Sequence, residues 1–163
     1  MTPIIYPVAK WLPLVDHSAP GTLAQRSLII LHCTEGHTAQ SAIWTFQRSK
    51  TPHRVSAHFV IDRDGSVTQL VDINDTAWHA SAVNGISIGI EHAAISHTLL
   101  ATEAQYEASA ALVGWLCGQM AIPCDREHVK THNEASPADG HVLCCTGALD
   151  PDRVVAMAAG GAQ

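Results

Sequence analysis

Two histidines that close apolar, strand-like runs, with a cysteine pair beyond the second, are the residues of this chain best suited to chemistry. His32 closes Ser27-Leu28-Ile29-Ile30-Leu31-His32, and His132 closes His128-Val129-Lys130-Thr131-His132; Cys144-Cys145 follow twelve residues later. Two imidazoles and one thiolate make a three-ligand set for zinc, whose fourth position can hold a water. Such a water has its pKa lowered to about 7 and can attack an amide at neutral pH. The pattern points to a hydrolase. Spacing alone does not rank the sulfurs, since the loop could present either Cys144 or Cys145.

Glu91 is the candidate general base. It ends the apolar run Ile86-Ser87-Ile88-Gly89-Ile90-Glu91, where a carboxylate must be solvated, paired or functional. Gly89 on the same run permits a close approach to the backbone. Trp78, His79 and Asn84 precede it, and an aromatic ring, an imidazole and an amide together suit a sugar or peptide ligand. The chain has eleven histidines, so most need a plainer role. His58 lies mid-strand, where a buried imidazole bonded to a carbonyl is expected. Cys33, next to His32 on a strand, should face the opposite way and pack.

The elements that must position these groups read as follows. Residues 1–26 hold four prolines and one glycine and suggest an irregular arm, followed by one domain over 27–163. Ser27 to His32 is a short buried strand. Thr38 caps a helix whose Ala39, Ile43 and Phe46 share a face. Val55, Ala57, Phe59 and Ile61 alternate with polar or outward positions, Asp64-Gly65 supplies a hairpin turn, and Ser66 to Val71 returns. Thr102-Glu103-Ala104-Gln105 is a capping box opening a helix along Tyr106, Ala110, Val113, Cys117 and Met120. A strand then leads to His132, and Asp150 caps a last short helix. The expected class is α/β, a single domain with a mixed central sheet and helices packed on it.

A chain of 163 residues can bury a core without disulfides. The formal net charge of −6 argues against nucleic acid and against docking on anionic lipid. No apolar run approaches the roughly twenty residues that span a bilayer. Met1-Thr2-Pro3-Ile4-Ile5-Tyr6-Pro7 lacks the basic start and apolar core of a signal peptide. Synthesis in the cytoplasm is therefore expected, with action on a periplasmic substrate only through a separate exit route. Five cysteines cannot all pair; Cys117 and Cys124 could bridge in an oxidising compartment but read more simply as small packed residues.

Taken in order, these segments resemble the zinc-dependent N-acetylmuramoyl-L-alanine amidases of the second type. The resemblance runs from about Leu28 to Arg153. It is carried by Ile29-Ile30-Leu31-His32-Cys33-Thr34-Glu35-Gly36, by Val55-Ser56-Ala57-His58-Phe59-Val60-Ile61-Asp62-Arg63-Asp64-Gly65, by Ala77-Trp78-His79-Ala80, by Asn84 with Ser87-Ile88-Gly89-Ile90-Glu91, and by Thr102 to Tyr106 and His132 to Pro137. It implies cleavage of the amide between N-acetylmuramic acid and L-alanine, on peptidoglycan or muropeptides, by a monomer. It implies Zn2+ on His32, His132 and Cys145, because Cys145-Thr146-Gly147 resembles the family's segment before the last helix. Ala57 stands where some members carry a tyrosine, so Glu91 serves instead, and Thr146 replaces a usual proline. The family's lysine falls at Leu143, so His141 or Lys130 would have to supply the oxyanion donor. Two rivals are a binding module of the same fold without catalysis, and a closed structural site using both cysteines.

Overall fold

The computed structural model describes residues 2–141 and 143–161. In chain order its elements are β1 (Lys10–Trp11), β2 (Ser18–Ala19), β3 (Leu28–Cys33), α1 (Ala39–Arg48), β4 (Phe59–Ile61), β5 (Val67–Gln69), β6 (Thr76–Ala77) and β7 (Ser87–His92). They continue with α2 (Glu103–Met120), β8 (Val129–Thr131), α3 (His132–Ala135) and α4 (Pro151–Gly160). Six strands form one sheet in the order β1-β5-β4-β7-β3-β8, and β2 pairs with β6. Only the β4–β5 hairpin is antiparallel within the six, so the sheet is mixed and carries helices on both faces, as the alternation of elements implies.

Side chains alternate across each strand, and the two faces have separate cores. On one face Ile29, Leu31, Ile88, Ile90 and Phe59 pack against Leu112, Val113 and Leu116 of α2 and Val154 of α4. Each of these buried aliphatic side chains contributes about 1.5–3 kcal/mol. On the other face Ala42, Ile43 and Phe46 of α1 pack against Ala57, Val60 and Leu70. Val60 is opposite Glu91, and Glu91 is opposite His32, so the register sets both chemical residues on the α1 face.

Local signals start the helices where expected. Thr38 accepts a hydrogen bond from the Ser41 amide, Thr102 and Gln105 form the reciprocal capping box, and Asp150 accepts from the Asp152 and Arg153 amides. The hairpin turns at Gly65, whose φ of 83° suits glycine, and a Cβ there would lie 2.8 Å from the Ala104 carbonyl oxygen.

Three expectations change. The hairpin strand begins only at Phe59, because the Ser56 amide bonds Trp78 O and the Ser56 hydroxyl bonds His17 O instead of a ladder partner. His132 does not close a strand: it opens α3, a turn whose Thr131–Glu134 capping box pulls the chain out of β8. The N-terminal segment is not irregular throughout, since β1 extends the sheet beside β5. It is clamped there by the buried Gln69 side chain, which accepts from the Tyr6 amide and donates to Ile4 O. No helix among the described residues is long and apolar enough to cross a membrane.

Candidate metal centre and catalytic cleft

At the C-terminal ends of β3 and β8, His32, His132 and Cys144 bring one ligand atom each to within 4.8 Å of one another. The rings of His32 and His132 meet edge to face, 4.8 Å between centroids. Cys144 Sγ lies 4.0 Å from His32 Nδ1. Tetrahedral zinc, with bonds of about 2.0–2.1 Å to nitrogen and 2.3 Å to sulfur, needs ligand atoms only slightly closer than this. Cys145 first, and then the two imidazoles beside it, pull the Cys144 thiol down to about 2, which favours the thiolate form that zinc binds. A thiolate between two imidazoles, both nearly buried, is a donor set that fits a zinc ion.

The sulfur facing the histidines is therefore Cys144, not Cys145. Cys145 adopts a left-handed turn (φ 64°) and is buried in the core beneath α2 and α4. There burial, with Cys144 and Cys33 beside it, drives its thiol far above the ordinary range. The resemblance pointed to Cys145, one residue on; the geometry instead groups Cys144 with the histidines, because a vicinal pair in a loop presents one sulfur to each side. With Cys144 as the thiol, the position two residues earlier is Val142, which lies outside the described residues and has no side-chain donor either.

Both imidazoles have their outer nitrogens engaged. His132 Nε2 is 3.1 Å from Asp139 Oδ2, which leaves Nδ1 for the centre. His32 Nε2 is 3.0 Å from His79 Nδ1, which again leaves Nδ1. Asp139 is a residue that the sequence did not single out, since nothing in a short loop after α3 marks a carboxylate as a partner of His132.

Glu91 is half-buried, opposite His32. Burial pushes its carboxyl up to about 7, with His32 and His132 opposing and Cys144 adding to the rise. Its Oε2 is buried with no hydrogen-bond partner. An orphaned carboxylate oxygen beside a thiolate–imidazole cluster is a group held ready for a proton. Glu91 also lines a cavity of about 220 Å³ with Thr34, Glu35, Ser41 and Thr45.

A larger cleft of about 500 Å³ opens against His132 and is lined in part by Arg54, Trp78, His79, Asn84, Asp139 and His141. The three residues expected to bind substrate thus reach it, but two are committed to structure. Asn84 Oδ1 accepts from the amides of His79 and Ala80, and both His79 ring nitrogens are hydrogen-bonded. Trp78 is half-buried in the lining. His141 is exposed and stacks on His132 at 4.6 Å between centroids. Lys130 sits opposite Ile30 on the edge strand β8, and Leu143 is exposed, with its carbonyl accepting from Ser96 Oγ. Arg54 went unnoticed in the sequence; its Nη1 donates to Asp16 O while its buried Nε has no partner.

His58 behaves as expected. Its Nδ1 accepts from the Gly89 amide and its Nε2 donates to Asp75 O, and burial lowers it to about 3, so it stays neutral. Cys33 faces the core, away from His32. Cys117 and Cys124 are free thiols.

Comparison with known proteins identifies the family. Residues 23–151 match the family model described as N-acetylmuramoyl-L-alanine amidase. The chain is 37% identical over 120 residues to N-acetylmuramoyl-L-alanine amidase A of Achromobacter lyticus, covering 71% of this chain and 65% of the relative. It is 36% identical over 92 residues to the 1,6-anhydro-N-acetylmuramyl-L-alanine amidase AmpD of Salmonella typhimurium, covering 52% and 48%. The chain thus spans about half to two-thirds of the length of these relatives. A crystal structure of a selenomethionine AmpD derivative superposes with a TM-score of 0.74 at 26% identity, covering 94% of this chain and 96% of that one. The chain belongs to the N-acetylmuramoyl-L-alanine amidase family.

Proposed function

We propose that this protein is a zinc-dependent amidase that hydrolyses the bond between the lactyl group of N-acetylmuramic acid and L-alanine, with peptidoglycan or soluble muropeptides as substrate. The observation that carries the reading is the convergence of His32, His132 and Cys144 beside the unpartnered carboxylate of Glu91. Family membership and the names of the relatives support the bond that is cleaved. The reading takes the chain as a monomer acting on soluble muropeptides or on the wall itself.

Zinc held by His32, His132 and Cys144 would supply Lewis acidity to the scissile carbonyl and acidify water at the site. Glu91 accepts a proton from the attacking water at its free Oε2. It then delivers that proton to the amide nitrogen as the C–N bond breaks, releasing a lactyl carboxylate and the amino group of L-alanine. A carboxyl raised to about 7 is matched to both halves of that transfer. We assign the oxyanion donor to His141, a reading supported by its exposed ring stacked on His132; losing such a donor costs about 2.7–4 kcal/mol. Trp78 offers an apolar surface in the cleft, and Arg54 a cation suited to the carboxylates of a stem peptide.

Mass spectrometry of digests of intact sacculi and of soluble anhydro-muropeptides tests this. The expected products are peptides with a free L-alanine amino group and sugars with a free lactyl carboxylate, lost with a chelator and restored by zinc. Binding to sacculi without these products would identify a recognition module instead.

A further inference from the structure

We infer that His79 is a positioning residue for the metal centre: it fixes which nitrogen of His32 is free to bind metal, and the carbonyl of Val83 dictates the choice. The inference rests on the zinc reading above. His79 is absent from the three-residue ligand group and sits behind His32, on the side away from Cys144.

The direction of the proton chain follows from one group that can only accept. Ser87 Oγ lies 2.7 Å from Val83 O, and a carbonyl has no proton to give, so the Ser87 hydroxyl donates to it. Ser87 Oγ is also 3.2 Å from His79 Nε2; with its own hydrogen already used, it must accept there, so His79 carries its proton on Nε2. The neutral ring then has its lone pair on Nδ1, 3.0 Å from His32 Nε2. His32 therefore donates from Nε2, and its remaining lone pair is on Nδ1, the nitrogen facing Cys144. Imidazoles that bind metal are commonly oriented in this way by a partner on the other nitrogen, and losing that partner typically costs 10–100-fold in metal affinity.

The fold holds His79 firmly. A Cβ at position 89 would lie 2.6 Å from His79 Cγ, so the ring packs on the bare backbone of β7. The Asn84 side chain fixes the His79 amide. The close approach permitted by Gly89 is thus to a side chain of the protein itself.

The test is zinc affinity, measured by competition with a chromogenic chelator on the full chain, for wild type, His79→Ala, His79→Asn and His79→Gln. An asparagine places its amide near the Nδ1 position and can accept from His32; a glutamine reaches towards Nε2 and Ser87. The expected result is a 10–100-fold loss for His79→Ala and His79→Gln, with recovery towards wild type in His79→Asn. A slowly exchanging His32 Nε2 proton should appear by NMR in the zinc-loaded wild type and vanish in His79→Ala. Wild-type zinc affinity in folded His79→Ala would overturn the inference and leave the metal centre standing. A wild-type protein that binds no zinc would overturn the metal centre, and this inference with it.

Discussion

Three adjacent pairs, His32–Cys33, Glu91–His92 and Cys144–Cys145, divide between the two sides of the sheet. His32 and Glu91 face the α1 side, where Glu91 keeps an orphaned carboxylate oxygen, and Cys144, in a loop at the sheet's end, brings its sulfur to His32. The second member of each pair is sealed beneath α2 and α4. Cys33 and Cys145 pack in the core there, and His92 spends both ring nitrogens on His32 O and Ser109 Oγ. Residue type does not separate chemistry from packing here. Facing does: one imidazole or thiol joins the candidate centre while its neighbour packs in the core, and Glu91 Oε2, a buried oxygen without a partner among the described residues, is on the side of the centre.

The largest break in this comparison should come at Glu91. Glu91→Gln keeps an almost identical shape but cannot accept the water proton, so turnover should fall about 10²–10⁴-fold with zinc content and fold retained. Steady-state rates on muropeptides, with metal analysis of the purified variant, check this. Near-normal turnover would move the base elsewhere.

The cysteine pair gives the next effect. Cys144→Ser replaces a thiolate with a neutral hydroxyl and should weaken zinc by at least about 100-fold, beyond the loss of a partner outside the ligand set. Cys145→Ser should keep zinc but bury a hydroxyl, lowering stability by about 1–3 kcal/mol in chemical denaturation. The reverse pattern would exchange the two sides.

The last effect is a pH slope shared by both sides. Burial holds His58 near 3 and His92 near 4, below the 6.5 of an unfolded histidine. As pH falls below 6.5 the unfolded chain takes up protons that the folded chain refuses, so stability is present above 6.5 and lost towards 3 or 4. Each site contributes up to about 1.4 kcal/mol per pH unit across its window. Urea midpoints of metal-free protein at pH 7, 5.5 and 4.5 should fall, and His58→Phe should flatten the slope while lowering stability at pH 7.

The sheet and its helices were legible because alternation and capping are local. Thr38, Thr102 and Asp150 each mark the start that the structure uses. Glu91 and His32 were legible as strand ends, although only the register shows that they face the same way. The choice of Cys144 was not legible: it depends on a left-handed residue within a loop, and no periodicity reports that. Asp139 was hidden for the same reason. His79 read as a substrate contact because type and proximity to a cleft cannot reveal that both its nitrogens are already committed.

The central claim is an open centre made of two imidazoles and one thiolate. Zinc K-edge X-ray absorption on the zinc-loaded protein tests it most directly. The account predicts two nitrogen ligands, one sulfur at about 2.3 Å and one oxygen, a pattern unchanged by Cys145→Ser and stripped of its sulfur by Cys144→Ser. Two sulfurs in the wild type, one of them lost in Cys145→Ser, would contradict it and describe a closed structural site.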